Sequence, residues 1–227
     1  MRKHSNRRND GWNPVIVVYR RSICWTDRVL QFAGAGEFTH CELYLPNEGT
    51  TFAIFLGGLM QCNAVLPQLY KSTPQYFAWH LLLLTDQEYE RLKQWNVRQV
   101  THHCRYNLSD LAWQITPSHV SRSCVHDLDQ DAASDPRKMF CSQAVVLALR
   151  EAFKGTGSNF CMQNFACSMN SRLTTPTELA CSTAEHLGRC PHVGIIPTSH
   201  EDVNKHINEI LTFSVSKGHD SYIKKQY

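Results

Sequence analysis

Phe38-Thr39-His40-Cys41-Glu42-Leu43-Tyr44-Leu45 is the stretch on which the fold of this chain turns. Read as a strand, it alternates with period two. Cys41, Leu43 and Leu45 form an apolar face for the core, while His40, Glu42 and Tyr44 face a groove, solvent or a packed helix. A second segment, Met139-Phe140-Cys141-Ser142-Gln143-Ala144-Val145-Val146, reads as the start of a helix. Cys141, Val145, Leu149 and Ala152 or Phe153 then fall on one stripe, which turns the thiol inward in the first turn. Unpaired N–H groups and the macrodipole at that end favour thiolate. An imidazole beside it would take the thiol proton and later return it. The two meet if the helix lays its stripe on the polar face of the histidine strand. Taken singly, such a cysteine is more often a small buried hydrophobe, and such a histidine a satisfied polar residue.

Outward from the histidine strand, Val15–Arg20 is a β-branched run that reads as a buried strand following Pro14. Trp25–Ala33 is a short helix candidate closed by Gly34 and Gly36. The turn Pro46-Asn47-Glu48-Gly49 leads to a strand over 50–56 at hairpin distance. Gly57-Gly58 breaks it, and 59–66 continues the sheet. Residues 76–84 form another strand, ending in the capping-box pattern Thr85-Asp86-Gln87-Glu88, with a helix to about Val100. Residues 108–115 are a weaker helix candidate, and 116–137 is a polar loop. The Cys141 helix runs to about Phe153. Thr175-Pro176-Thr177-Glu178 is a second capping box, with a helix through about Leu187. Strands first and helices later predict an α+β fold, an antiparallel sheet packed against helices. The expected organisation is a disordered basic tail at 1–13, a domain at 14–190 and a C-terminal extension at 191–227, packed on or trailing the domain.

Composition narrows the function classes. Hydrophobic residues make up 42% and charged residues 19%, ordinary for a globular protein. A net charge of +3 is too small to argue for nucleic acid, and none is expected as a partner. The basic ends read as solvated tails, with weak contact to a membrane surface as the lesser alternative. No apolar leader follows the charged start, and no run is long enough to span a bilayer, so a cytoplasmic location is expected. The ten cysteines are then read as reduced thiols rather than a disulfide framework. No Gly-rich phosphate loop is present, so a nucleotide site has little support.

An early apolar strand, the Thr39-His40-Cys41-Glu42-Leu43-Tyr44-Leu45 strand, Tyr106-Asn107 and then Phe140-Cys141-Ser142 with Val145 and Leu149 together resemble the circularly permuted NlpC/P60 papain-like superfamily. Histidine before cysteine is the permuted order. The cysteine motif is more similar to the YiiX/poxvirus-like branch than to the distant lecithin:retinol acyltransferase group, and Thr175-Pro176 with Leu179 resembles the segment after the family's cysteine helix. The resemblance implies a permuted papain-like fold and a cysteine hydrolase, a thiol protease or amidase or a lipid acyl hydrolase, or an acyltransferase. Cys141 would be the nucleophile and His40 the base, then the acid. Tyr106 and Ser142 would serve the oxyanion or the substrate. The family also needs a polar group that orients the imidazole, usually on or beside the next strand. Here 50–54 offers only hydroxyls. Glu42, roughly 7 Å along the same strand face, is the first choice, with Thr51 and Glu48 behind it; the alternative for Glu42 is a surface carboxylate.

No cofactor is implied, and the expected partner is a small-molecule, lipid or peptide substrate. Two rival readings follow from the same residues. His102, His103, Cys104, Cys124, His126, Cys161, Cys167, Cys181, Cys190 and His192 are of types that suit structural zinc, although no C-x-x-C pair occurs. The other rival is a catalytically inactive papain-like module that binds a lipid or peptide, or that serves as an interaction module in a viral or host complex.

Overall fold

The computed structural model describes residues 12–22, 36–55, 58–64, 73–107, 137–155, 165–169 and 174–216, with single positions at 25, 28, 31, 70 and 171. Residues 1–11 of the expected tail, the helix expected at 108–115 and nearly all of the 116–137 loop lie outside these residues, as does most of the 25–33 helix; Trp12 and Asn13, assigned to the disordered tail, instead begin a strand paired with Thr85 and Leu84.

Eight strands and four helices organise the described residues. They are β1 (Trp12–Arg21), β2 (Phe38–Leu45), β3 (Thr50–Ile54), β4 (Met60–Asn63), β5 (Phe77–Thr85), α1 (Asp86–Thr101), β6 (Arg105–Tyr106), β7 (Lys138–Met139), α2 (Cys141–Phe153), α3 (Pro176–Leu187), β8 (His192–Val193) and α4 (His200–Ser216). Six strands form one sheet in the order β4-β3-β2-β1-β5-β8, and β6 pairs with β7 separately. Every neighbouring pair in the large sheet is antiparallel. The α+β expectation therefore describes the molecule at the level of an antiparallel sheet packed against helices.

β1 is central and buried on both faces, which is why its sequence is continuously apolar rather than alternating. Val15, Val17 and Tyr19 join Cys41, Leu43 and Leu45 in a core filled from above by Tyr89 and Leu92 of α1, Val145 and Leu149 of α2, and Leu179 of α3. Ile16 and Val18 point the other way, into a second core with Tyr44, Tyr70, Trp79 and Ile196. Chain beyond residue 190 thus supplies both an edge strand and part of that second core. Pro14 sits where β1 pairs only with β5, because its pairing with β2 begins at Ile16.

Both capping boxes form reciprocally. Thr85 Oγ1 accepts from Glu88 N at 3.3 Å while Thr85 N donates to Glu88 Oε2 at 2.9 Å. Thr175 and Glu178 do the same at 3.2 and 2.7 Å. Gly188 then ends α3 in the left-handed region, at φ 62°.

One expectation about packing is corrected. The α2 stripe lies on the Cys41/Leu43/Leu45 face of β2, not on the face carrying Glu42 and Tyr44. The latter face is not solvated either: Glu42 is 2% exposed and Tyr44 belongs to the second core. Apolar area decides this arrangement, since a helix stripe of Val and Leu loses more by leaving Leu43 and Leu45 uncovered.

Candidate functional site

His40 sits at an irregularity in β2. The register runs Tyr19↔Cys41 and Arg20↔His40, then jumps to Arg21↔Phe38, leaving Thr39 as an extra residue. Such a bulge breaks alternation and re-aims the side chains beside it. Phe38 and Cys41 consequently both join the α2-side core, and the His40 ring comes into hydrogen-bond contact with Cys141. The bulge is anchored by α3. Phe38 N donates to Thr177 Oγ1 at 2.8 Å, and Thr177 Oγ1 donates back to Phe38 O at 3.3 Å. Gly36, at φ +78°, makes room for this clasp: a Cβ there would stand 2.7 Å from Thr177 Oγ1.

The imidazole is held on two sides. Phe55 stacks on it at 4.8 Å with an interplanar angle of 15°, and the Arg20 guanidinium lies 5.9 Å from the centre of the Phe55 ring. On the other side, His40 Nε2 lies 3.4 Å from Glu42 Oε2. Neither atom makes a directed hydrogen bond, so the contact is an ion pair whenever the ring is protonated. Glu42 is itself fixed by Tyr70, whose hydroxyl donates to Oε1 at 2.8 Å. Tyr70 in turn shares a 3.1 Å hydrogen bond with Thr51. Thus Thr51, Tyr70, Glu42, His40 and Cys141 form one line of contacts. Glu48 is instead paired with Lys93 at 2.6 Å.

Cys141 opens α2. Its N-cap, Phe140, has no side-chain acceptor, and no acidic residue lies in the first turn. The first N–H groups of the helix therefore have no intrahelical partner and no carboxylate to compete with an anionic sulfur. Cys41 offers Cys141 two donors, its thiol and its backbone N–H. The Cys41 thiol is the largest influence on Cys141 and lowers its pKa; burial opposes this, and the His40 hydrogen bond and charge add to the lowering. The outcome is a thiol held well below its ordinary pKa. For His40, burial is the largest influence and would lower the pKa. The contacts with Cys141 and Glu42 together outweigh it and push the ring up to about 9. Thiolate and imidazolium are the matched states of this pair at neutral pH.

Tyr106 reaches the same sulfur. β6 pairs in parallel with β7 in the register Tyr106↔Met139, and Asn107 N donates to Met139 O at 3.0 Å. This small sheet sets Tyr106 beside the residues that lead into Cys141. Its hydroxyl is hydrogen-bonded to Cys141, and its pKa is raised by burial first and then by the charge on Cys141. It therefore stays a proton donor. Ser142 is placed differently from the expectation. Its hydroxyl is buried and donates to Thr174 O at 2.5 Å, tying α2 to the start of α3.

The structure thus brings together Cys141, His40, Glu42 and Tyr106. Sequence reading missed Phe55, Tyr70 and Cys41. The hairpin could have supplied Phe55: the pairs Leu45↔Thr50 and Leu43↔Phe52, continued along the strands, set His40 across from Phe55. Cys41 keeps the alternation of Leu43 and Leu45, and it escapes the sequence reading because that reading lays the Cys141 stripe on the opposite face of β2. Tyr70 had no signal, because it stands in a segment without periodicity.

Among the described residues, no three His, Cys, Asp or Glu side chains gather where they could hold a metal ion. Cys167, Cys181 and Cys190 are exposed free thiols, and His192 stacks on Trp79 at 4.5 Å. Cys124, His126 and Cys161 lie outside the described residues. Among the described residues, too, no helix is long and apolar enough to cross a membrane.

Chemically, the arrangement offers a thiol of lowered pKa, a proton donor beside it, a carboxylate behind that donor, and the Tyr106 hydroxyl in contact with the sulfur at a helix N-terminus. The chain matches no protein-family model, no curated protein and no solved structure.

Proposed function

We propose that this protein is a cysteine-dependent acyl hydrolase or acyltransferase of permuted papain-like architecture, acting on an amide or ester through a thioester on Cys141. The observation that carries the proposal is the hydrogen-bonded Cys141–His40 pair, with Glu42 at 3.4 Å behind the imidazole. Strand-borne histidine, helix-borne cysteine and their order in the chain support the same reading.

The proton inventory supports the following order of steps. With His40 pushed up to about 9 and Cys141 lowered, the proton already sits on the imidazole before substrate binds. Cys141 Sγ attacks the acyl carbon, and the carbonyl oxygen becomes an oxyanion. Tyr106 and the Cys141 N–H are its donors, and such donors each contribute about 3 kcal/mol to the transition state. As the tetrahedral centre collapses, the imidazolium protonates the departing amine or alcohol. His40 is then neutral, and takes a proton from water or from an acceptor hydroxyl or amine that attacks the thioester. Glu42 favours the imidazolium at both ends of this cycle. The acid role of His40 therefore comes first and the base role second.

The test is single-turnover acylation with an activated thiol-reactive ester, followed by intact-mass measurement. The proposal expects one acyl group, lost on mild hydroxylamine treatment and absent in Cys141→Ala. A protein that binds the ester but never acylates contradicts it. That second reading, a binding module without turnover, draws on one observation: Cys141 and His40 are each only 4% exposed. It predicts unchanged ligand affinity in Cys141→Ala and no thioester in the parent chain.

A further inference from the structure

Cys41 has no step in the chemistry above, yet it lies in the same buried cluster as the nucleophile and its thiol is hydrogen-bonded to it. The contact is built by the core, not by a flexible loop. Cys41 is fixed in β2 between β1 and the α2 stripe, and Cys141 is fixed at the first position of α2. Both are buried and both are free thiols. The other described cysteines differ: Cys62, Cys167, Cys181 and Cys190 are exposed, and buried Cys104 turns its sulfur toward Arg105 O at 3.9 Å.

We infer that Cys41 and Cys141 form an oxidisable dithiol, in which a hydroperoxide attacks at Cys141 and Cys41 resolves the product as an intramolecular disulfide. The roles follow from the two environments. Cys141 is the thiolate, and thiolates, not thiols, react with peroxides. Cys41 is raised well above the ordinary thiol value, by burial first and then by its contact with Cys141, so it remains protonated until its neighbour has reacted. In the first step the Cys141 sulfur takes one oxygen from the hydroperoxide. The O–O bond breaks, and water or the parent alcohol leaves with one added proton. In the second step Cys41 sulfur displaces that oxygen from the Cys141 sulfenic acid. The S–S bond forms, and the Cys41 proton leaves with the oxygen as water. Two electrons pass from the two thiols to the peroxide, and a dithiol reductant reverses the change.

The inference rests on thiol contact, and stands whether or not Cys141 takes part in acyl transfer. Where it does, the disulfide removes the nucleophile and protects it from irreversible over-oxidation.

The experiment treats the reduced full-length chain with one equivalent of hydrogen peroxide, blocks remaining thiols with an alkylating agent and maps the peptides. Two of the ten cysteines should escape alkylation. A single Cys41–Cys141 cross-linked peptide should appear, and dithiothreitol should restore both thiols. In Cys41→Ser, and in Cys41→Ala as a second variant should the buried hydroxyl disturb folding, Cys141 should instead give a dimedone adduct and then sulfinic acid. In Cys141→Ser, Cys41 should stay reduced. A persistent Cys141 sulfenic acid beside a free Cys41 in the parent chain overturns the inference. So does a disulfide from Cys141 to any other cysteine, or oxidation of Cys141 no faster than that of exposed Cys62. None of these readouts depends on acylation, so this inference and the acyl-transfer proposal fail separately.

Discussion

Replacing Glu42 by Gln keeps the size of the side chain and removes its charge, and the structure sets what should follow. His40 stands at about 9 although burial alone would lower it, so its two partners supply the whole rise. A full charge at 3.4 Å contributes at most ~5 kcal/mol at an effective dielectric constant of about 20. Opposite charges at such range move a pKa by about 1 to 3 in folded proteins. With Cys141 retained, we expect the His40 midpoint in Glu42→Gln to fall by about 1 to 2 pH units, equivalent to ~1.4–2.7 kcal/mol. The assay is an NMR titration of ring-labelled histidine, with His40→Gln used to assign the resonance. Stability should change in the matching direction. A raised histidine pKa stabilises the fold fully below about 6.5 and loses that contribution as pH rises through about 9. Glu42→Gln should therefore be less stable than the parent near pH 6, and the difference should close or reverse above pH 9, where Glu42 would be a buried carboxylate facing a neutral ring. A His40 titration that does not move, or a stability gap that grows with pH, would refute the coupling.

Other perturbations separate the remaining roles. Tyr106→Phe should slow acylation by roughly 100-fold, the effect of losing one oxyanion donor, while alkylation of Cys141 by a small haloacetamide changes little; a rate loss equal in both assays would assign Tyr106 to thiolate formation instead. Gly36→Ala puts a methyl 2.7 Å from Thr177 Oγ1 at a φ of +78°, and should destabilise by roughly 1–3 kcal/mol and lower Cys141 reactivity with it. Denaturant unfolding in parallel with thiol kinetics checks both. Thr85→Ala removes a cap remote from the site, and should cost about 1 kcal/mol of stability with no change in Cys141 reactivity.

Much of the fold was legible because short-range rules govern it. The capping boxes at Thr85 and Thr175 fix where two helices start, and the turn at 46–49 fixes the β2–β3 hairpin. The β-branched run at 15–20 marks the central strand, and the Cys141 helix closes near Phe153 as its pattern predicts. The site was half legible. Cys141 and His40 could be named from helix position and strand chemistry, and Glu42 from its spacing to His40. The route by which they meet was not. Strict alternation placed the imidazole and the α2 stripe together only if the helix packed on the polar face. The molecule instead keeps the helix on Leu43 and Leu45 and turns His40 with one extra residue at Thr39. A single-residue bulge leaves no mark in hydrophobic periodicity. Tyr70 and Ser142 show the other limit: whether a hydroxyl serves a carboxylate, a carbonyl or a substrate depends on what the rest of the chain brings beside it.

The central claim is that the Cys41 thiol and the His40 imidazolium together hold Cys141 as a thiolate. Alkylation rates of individual cysteines at pH 6, followed by peptide mapping, test this most directly. An ordinary thiol of pKa about 8.5 is well under 1% ionised at that pH. Despite its burial, Cys141 should react at least about tenfold faster than exposed Cys62 or Cys167, allowing for the lower nucleophilicity of a low-pKa thiolate, and His40→Ala should shrink the difference, leaving the part that Cys41 supplies. Equal rates at Cys141, Cys62 and Cys167, or a Cys141 rate indifferent to His40→Ala, would contradict the account.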